Sequence, residues 1–276
     1  MKVNGKTIVV TGGGSGMGRE LVLELAKRGA SVAAVDINKE AVLETARLAP
    51  ESKEKISTHV VNITEREAIE KLVDEVKEFH GTVDGIINNA GIIQPFIDVN
   101  DLGYDKIEQV MNVNFYGTLY MVKSFLPELL KRPEAHILNV ASMGGFLPVP
   151  GQSIYGASKA AVKLMTEGLH SELTDTNVGV TIAFPGAIKT NIMQNSKVER
   201  KATTDTSGKE YKLTLADDAA KIMIDAIESN AYRVMVGNDA KMMDRMYRVM
   251  PKKAAAIIAG KLKTESELIN FSGLYR

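Results

Sequence analysis

Seven short runs of β-branched or apolar residues alternate with amphipathic stretches, and no other feature constrains the fold as tightly. The runs are Thr7–Val10, Ser31–Val35, Ile56–Val61, Val83–Asn88, His136–Ala141, Val178–Phe184 and Tyr232–Val236. They are apolar on both faces, as strands of a parallel sheet covered on each side must be. Helical patterns fall between them at about 16–29, 38–49, 65–80, 104–131, 154–175 and 215–229. In the first, Leu21, Leu25 and Arg28 keep helical spacing and Gly29 supplies the stop. Thr64-Glu65-Arg66-Glu67 has the capping-box form that opens a helix. Such alternation builds right-handed βαβ units. The predicted fold is therefore α/β: a doubly wound, seven-stranded parallel sheet with helices on both faces, in a single domain.

Composition narrows the function. The 276 residues carry 34 basic and 34 acidic side chains and only 5% aromatics, a balance that argues against nucleic acid as a partner. There is no cysteine, which excludes thiol catalysis, cysteine–zinc sites and disulfides. His59, His80, His136 and His170 form no H-x-x-x-H spacing, so no metal site is expected. The apolar run after Met1–Lys6 is too short for a signal peptide or a membrane span. A cytoplasmic protein without membrane contact is the expectation.

Two stretches break the rhythm. Residues 191–213 are polar and weakly periodic, and a substrate loop is placed at about 187–213. Beyond a dinucleotide-domain span of 1–238, residues 239–276 form an extension with Met242, Met243, Met246, Val249, Met250, Ile257, Ile258 and Leu262 at helical spacing, interrupted by Pro251. Its favoured reading is a helix pair packed on the same domain. A lid over an apolar pocket or a contact with a membrane surface is the alternative.

After the first run comes Thr11-Gly12-Gly13-Gly14-Ser15-Gly16-Met17-Gly18, then a helix. Glycines at 12, 16 and 18 let the backbone turn sharply, let a pyrophosphate approach and let strand and helix pack closely. The helix N-terminus offers free N–H groups to the anion. Asp36 ends the second run, where a carboxylate accepts from both ribose hydroxyls of an adenosine and repels a 2′-phosphate. Ile37 follows it, so no cation is placed to welcome that phosphate. NAD is favoured over NADP.

Tyr155-Gly156-Ala157-Ser158-Lys159 puts a phenol and an ammonium on one face of a helix. A free tyrosine titrates near ~10, so acid–base work near neutrality needs roughly 4 kcal/mol of help. A cation ~4 Å away at an effective dielectric of about 20 supplies that much.

Thr11–Gly18, Asn88-Asn89-Ala90-Gly91, Asn114, Ser142, Tyr155/Lys159 and Pro185-Gly186 stand in an order and rough spacing that resembles the short-chain dehydrogenase/reductase family, over about residues 5–237. The resemblance implies a Rossmann-like fold and a division of labour. Tyr155 would pass a proton to or from the substrate oxygen. Lys159 would lower the tyrosine pKa and bond the nicotinamide ribose, and Ser142 would hold the substrate oxygen. Asn114 would fix a water linking Lys159 to solvent; a helix asparagine that bonds backbone and bends its helix fits the same residue. Gly12, Ser15, Gly16, Met17 and Gly18 would line the phosphates, with Asp36 and Ile37 at the adenosine ribose. Asn62, Ile63, Asn89, Ala90 and Gly91 would form the adenosine-side wall, and Pro185, Gly186, Ile188 and Thr190 would receive the carboxamide. Asn62 stands where the family usually has Asp, and the ending V-D-G-G is absent, replaced by Val236-Gly237-Asn238-Asp239.

The pocket is expected to be lined by Ile92, Ile93, Met143, Gly144, Phe146, Val149, Ala187, Ile192 and Met193, with Gln152 and Lys189 nearby. Nearly all are apolar. That composition points to a secondary alcohol or ketone with a hydrophobic body: steroid-like, terpenoid or fatty. An NADPH-linked 3-oxoacyl or ketone reductase is the alternative, and a nucleotide-binding protein without catalysis is a third reading. The resemblance also implies a homodimer or homotetramer paired through the helices at 104–131 and 154–175.

Overall fold

A computed structural model of the chain describes residues 1–190, 192–196, 198 and 213–270, excluding the side chains of 53 and 261–270. β1 (Thr7–Thr11), β2 (Ser31–Asp36), β3 (Ile56–Val60), β4 (Gly85–Asn88), β5 (Ala135–Val140), β6 (Val178–Pro185) and β7 (Arg233–Val236) form one sheet. Its order is β3-β2-β1-β4-β5-β6-β7, and each neighbouring pair is parallel. The helices are α1 (Gly16–Lys27), α2 (Lys39–Arg47), α3 (Arg66–His80), α4 (Tyr104–Met111), α5 (Gly117–Leu129), α6 (Ser153–Glu172), α7 (Ile192–Asn195), α8 (Ala216–Glu228), α9 (Asn238–Val249) and α10 (Pro251–Asn270).

Successive strand residues face opposite layers, which is why the runs are apolar throughout. Ile8 and Val10 of β1 join the core beneath α1 and α8, with Leu21, Leu25, Met223 and Ile224. Val9, between them, faces the core beneath α3 and α5, with Leu72 and Phe125. β1 lies between β2 and β4, so the connections leaving β1 and β4 run to opposite sides and open a crevice at their carboxyl ends. The site is built there.

Three local expectations change. The helix expected over 104–131 keeps one path but contains a π-helical turn at Asn112–Tyr116, between α4 and α5. Helix α3 begins at Arg66 with Glu65 as its uncapped N-cap residue, because Thr64 Oγ1 donates instead to Asn62 Oδ1 at 2.9 Å. A nearby Asx turn outcompetes the capping box. Part of the expected loop at 187–213 is the short helix α7, while 191, 197 and 199–212 lie outside the described residues. Pro251 opens α10 at its first position, where a missing N–H costs nothing. Met243 and Ala254, from α9 and α10, are buried with Leu147 and pack beside Met143, Phe146 and Tyr247. Among the described residues no helix is long and apolar enough to cross a membrane.

Candidate active site

The turn out of β1 needs glycine for two reasons. Gly12 and Gly16 have φ of 68° and 51°, in the left-handed region. A Cβ on Gly18 would run into the Gly12 carbonyl oxygen. The loop leaving β4 is stitched to this turn: Thr11 Oγ1 accepts from the N–H groups of Asn89 and Ala90 at 3.0 and 3.1 Å, and Asn89 Nδ2 donates to the Thr11 carbonyl at 3.1 Å. Helix α1 starts at Gly16 without a side-chain cap, leaving its first N–H groups for an anion. Asp36 reaches the same turn, where Oδ2 accepts from Gly14 N and Oδ1 from Asn38 N, each at 2.9 Å. A Cβ on Gly14 would sit 2.8 Å from that carboxylate. A cradle that side chains would fill, with an anion at its rim, fits a dinucleotide.

The other expected cofactor residues divide. Ser15 Oγ accepts from Asn195 Nδ2 at 2.8 Å, so α7 reaches across to the glycine turn. Met17 packs against the core beneath α1, and Ile37 is exposed beside Asp36. Asn62 Oδ1 accepts from both the N–H and the hydroxyl of Thr64, and Nδ2 donates to Glu65, so its amide is committed to its own turn. Ile63 is buried in the core, and a Cβ on Gly117 would meet it at 2.7 Å. Its side chain is packing material, which leaves only backbone for a ligand. Pro185 ends β6; Gly186 N donates to Val236 O at 2.9 Å, and Ile188 bridges Thr214. Thr190 ends this described stretch, half-buried.

The groups expected to react come from three elements. Ser142 follows β5 and precedes a 3₁₀ turn at Met143–Gly145; its Oγ accepts from Gly144 N at 3.0 Å. Tyr155 and Lys159 stand four residues apart on α6. A Cβ on Gly144 would lie 3.3 Å from the Tyr155 ring and 3.5 Å from Ser142 Oγ. Burial around Tyr155 pushes its phenol above the ordinary tyrosine range, and a hydrogen bond from the Ser142 hydroxyl pulls it back. Spacing alone assigns that lowering to Lys159. In the structure Lys159 Nζ donates to the Val140 carbonyl at 3.0 Å, and burial pushes it down to about 8.

Asn114 lies in the π-helical turn, fully buried. Its Oδ1 accepts from Ile92 N at 2.8 Å, and its Nδ2 donates to Ile92 O and Ser158 Oγ, each at 2.9 Å. A Cβ on Gly91 would sit 3.1 Å from Lys159 Nζ and 3.2 Å from Asn114 Oδ1. The expected cofactor wall, the lysine tip and Asn114 thus meet around one glycine.

A pocket of about 540 Å³ adjoins the Ser142 turn. Gly144, Phe146, Val149 and Gln152 line it, joined by Tyr247 of α9 and Ala255 and Ala259 of α10. Ile92, Ile93, Met143, Ala187, Ile192 and Met193 do not. Ile93 is buried and Met143 packs against α9 and α10. Several participants were illegible in the sequence. Asp239 Oδ2 accepts from Ala187 N at 2.6 Å and anchors the segment after β6. Arg19 donates to Gly14 O at 2.7 Å and to Thr45 Oγ1 at 3.1 Å. The pocket walls from α9 and α10 carry no motif.

The short chain dehydrogenase family model matches residues 6–201. SadH of Mycobacterium tuberculosis, provisionally named an oxidoreductase, is 34% identical over 261 residues, spanning 92% of this chain and 94% of its own. A Thermotoga maritima protein named 3-oxoacyl-[acyl-carrier-protein] reductase is 35% identical over 190 residues, spanning 69% of this chain and 77% of its own. Among solved structures, a Burkholderia cenocepacia short chain dehydrogenase in complex with NADP superposes with a TM-score of 0.78 at 26% identity, covering 94% of this chain and 99% of its own. A Burkholderia phymatum structure in complex with NAD gives a TM-score of 0.79 at 24% identity, covering 90% and 96%, and supports the fold.

Proposed function

As the chain belongs to the short-chain dehydrogenase family, we propose that it interconverts a secondary alcohol and a ketone on a mainly apolar substrate, with NAD as hydride carrier and Tyr155 as general acid–base. The observation that carries this reading is that Ser142 and Tyr155 meet around Gly144 while Lys159 and Asn114 meet around Gly91, next to the Ala90 that lies against the glycine turn. When bound, the dinucleotide supplies the centre that accepts or returns the hydride. Gly12–Gly18 would hold its pyrophosphate, Asp36 its adenosine ribose, Asn89–Gly91 its adenosine-side wall and Pro185–Thr190 its carboxamide.

The chain's own groups do the rest. Ser142 Oγ orients the substrate oxygen and Tyr155 takes its proton during oxidation or returns it during reduction. Lys159, held by the Val140 carbonyl, would favour the phenolate once the site is loaded, and Asn114 holds the Gly91–Ile92 run against which the lysine tip lies. The neighbouring pocket, which Ser142 and Tyr155 do not themselves line, has Phe146, Val149 and Tyr247 among its walls, which suits an apolar body. Asp36 at the glycine turn supports NAD, and Arg19 is engaged with Gly14 and Thr45 rather than free for a 2′-phosphate. The Thermotoga maritima relative favours a second reading, an NADPH-linked 3-oxoacyl reductase.

Tyr155→Phe tests the first reading. Turnover of a panel of apolar secondary alcohols should fall by about 10²–10⁴ while NADH affinity, read by fluorescence titration, stays within about twofold. Undiminished turnover in the variant refutes it. Tighter binding of NADPH than NADH would select the second reading.

A further inference from the structure

Helix α6 carries both Tyr155 and Lys159, yet it begins without a cap of its own. The residue at its N-cap position is Gln152, whose side chain makes no bond to the helix; Nε2 turns away and donates to the Gln94 carbonyl at 2.8 Å. The N–H groups of Ile154 and Tyr155 are the second and third of the helix, the pair that an N-cap side chain ordinarily serves. Both donate to Gln94 Oε1, each at 2.9 Å. Gln94 Nε2 in turn donates to the Gly151 carbonyl at 2.9 Å. A cap is delivered from a residue about sixty positions earlier in the chain.

Gln94 is fully buried, so these bonds have no competition from water. It closes the run Gly91–Gln94, which leaves the wall expected to face the dinucleotide. That run is held at each step: Ile92 by Asn114, and Ile93 N by donation to Ser196 Oγ at 3.0 Å. The turn at Gly151 is equally tight, with φ at 74° and a Cβ position 3.1 Å from Phe96 C. Only a glutamine suits the position. Glutamate keeps the acceptor for two N–H groups but lacks the donor to the Gly151 carbonyl, methionine of similar length offers neither acceptor nor donor, and asparagine is one methylene shorter.

We propose that Gln94 is a positioning residue, which caps α6 from outside and so fixes Tyr155 relative to the cofactor wall at Asn89–Gly91. The inference rests on the reading of Tyr155 as the acid–base. Its test uses the full-length protein loaded with NAD. Gln94→Met should speed amide exchange in 153–156 by about tenfold while exchange in the central strands and NADH affinity stay within about twofold. Tyr155, followed by NMR of ¹³C-labelled tyrosine and assigned with Tyr155→Phe, should titrate at higher pH in Gln94→Met, because a loosened helix end weakens the Ser142 bond. Turnover of 2-octanol should fall about tenfold in kcat with little change in KM. Gln94→Glu keeps the acceptor for both N–H groups but turns a carboxylate oxygen on the Gly151 carbonyl and brings a buried negative charge towards Tyr155. Exchange at 154 and 155 should therefore lie between wild type and Gln94→Met, while Tyr155 titrates higher than in wild type.

Exchange and titration in Gln94→Met that match wild type would overturn the proposal, as would exchange at 154 and 155 in Gln94→Glu as fast as in Gln94→Met. If Gln94→Met does not fold, Gln94→Asn, one methylene too short to reach the two N–H groups, takes its place in both measurements with the same outcomes. Absence of 2-octanol turnover in the wild type counts against the proposed function alone; exchange and titration still decide the role of Gln94.

Discussion

At Gly145 a Cβ would sit 2.9 Å from both the carbonyl carbon and the oxygen of Lys159. Those are backbone atoms and cannot swing aside, so Gly145→Ala must push α6 away from the Ser142 turn. We expect a loss of about 1–3 kcal/mol in stability by denaturant titration, and a fall in turnover larger than the unfolded fraction explains. Gly168, on the same helix, meets nothing within 4 Å in its own chain, so Gly168→Ala should leave the fold of the chain and the Ser142 turn undisturbed. Equal behaviour of the two variants would refute this account. Asp36→Ala removes the acceptor of two backbone N–H groups and the anion at the cradle rim. NADH affinity should drop by about tenfold or more and the NADPH-to-NADH preference should rise, both read by fluorescence titration. The glycine turn, Asp36 and the Tyr155/Lys159 pair were legible because each role needs a residue type at a fixed local spacing. Gly145 and Gln94 were not, since their roles are defined by atoms far away in sequence.

At the level of elements, the π-helical turn between α4 and α5 shows the same divide. Apolar periodicity announces a helix over the whole stretch, but not the π turn in which Asn114 sits bonded to Ile92. Asn114→Ala would orphan the N–H and C=O of Ile92 and a partner of Ser158. The expected cost is about 2–4 kcal/mol, seen as a lower denaturation midpoint with an unchanged slope. A smaller loss, with normal kinetics, would mean that the π turn holds its shape without that side chain. Helix α3 teaches the converse: Thr64-Glu65-Arg66-Glu67 has the letters of a capping box, yet Asn62, two residues earlier, takes the hydroxyl first. A local motif is decisive only when no closer acceptor competes.

Across the whole molecule, protonation and assembly are the testable consequences. Burial pushes His136 down to about 3, and burial together with repulsion from His59 pushes His80 down to about 4. Both titrate near 6.5 when unfolded, so below that pH the unfolded chain takes up protons that the folded chain refuses. Stability should therefore be complete above about pH 6.5 and decline as pH falls towards 4 and then 3. Denaturant titrations giving the same free energy at pH 7.5 and pH 4.5 would contradict this. Tyr104 on α4, Tyr116 in the π turn and Leu164 on α6 are all exposed, at 83%, 41% and 68%. We expect these helices to pair in a dimer or tetramer, and Leu164→Asp to lower the mass found by sedimentation. By itself the sequence determined the sheet, its two covered faces and the glycine turn after the first strand, because strand and helix periodicities and glycine turns are near-neighbour properties. Tertiary structure alone decided the Ser142 influence on Tyr155, the cap that Gln94 lends to α6, and the pocket wall from α9 and α10. Each of these depends on a distance between residues that the chain order keeps apart, and no local pattern encodes such a distance.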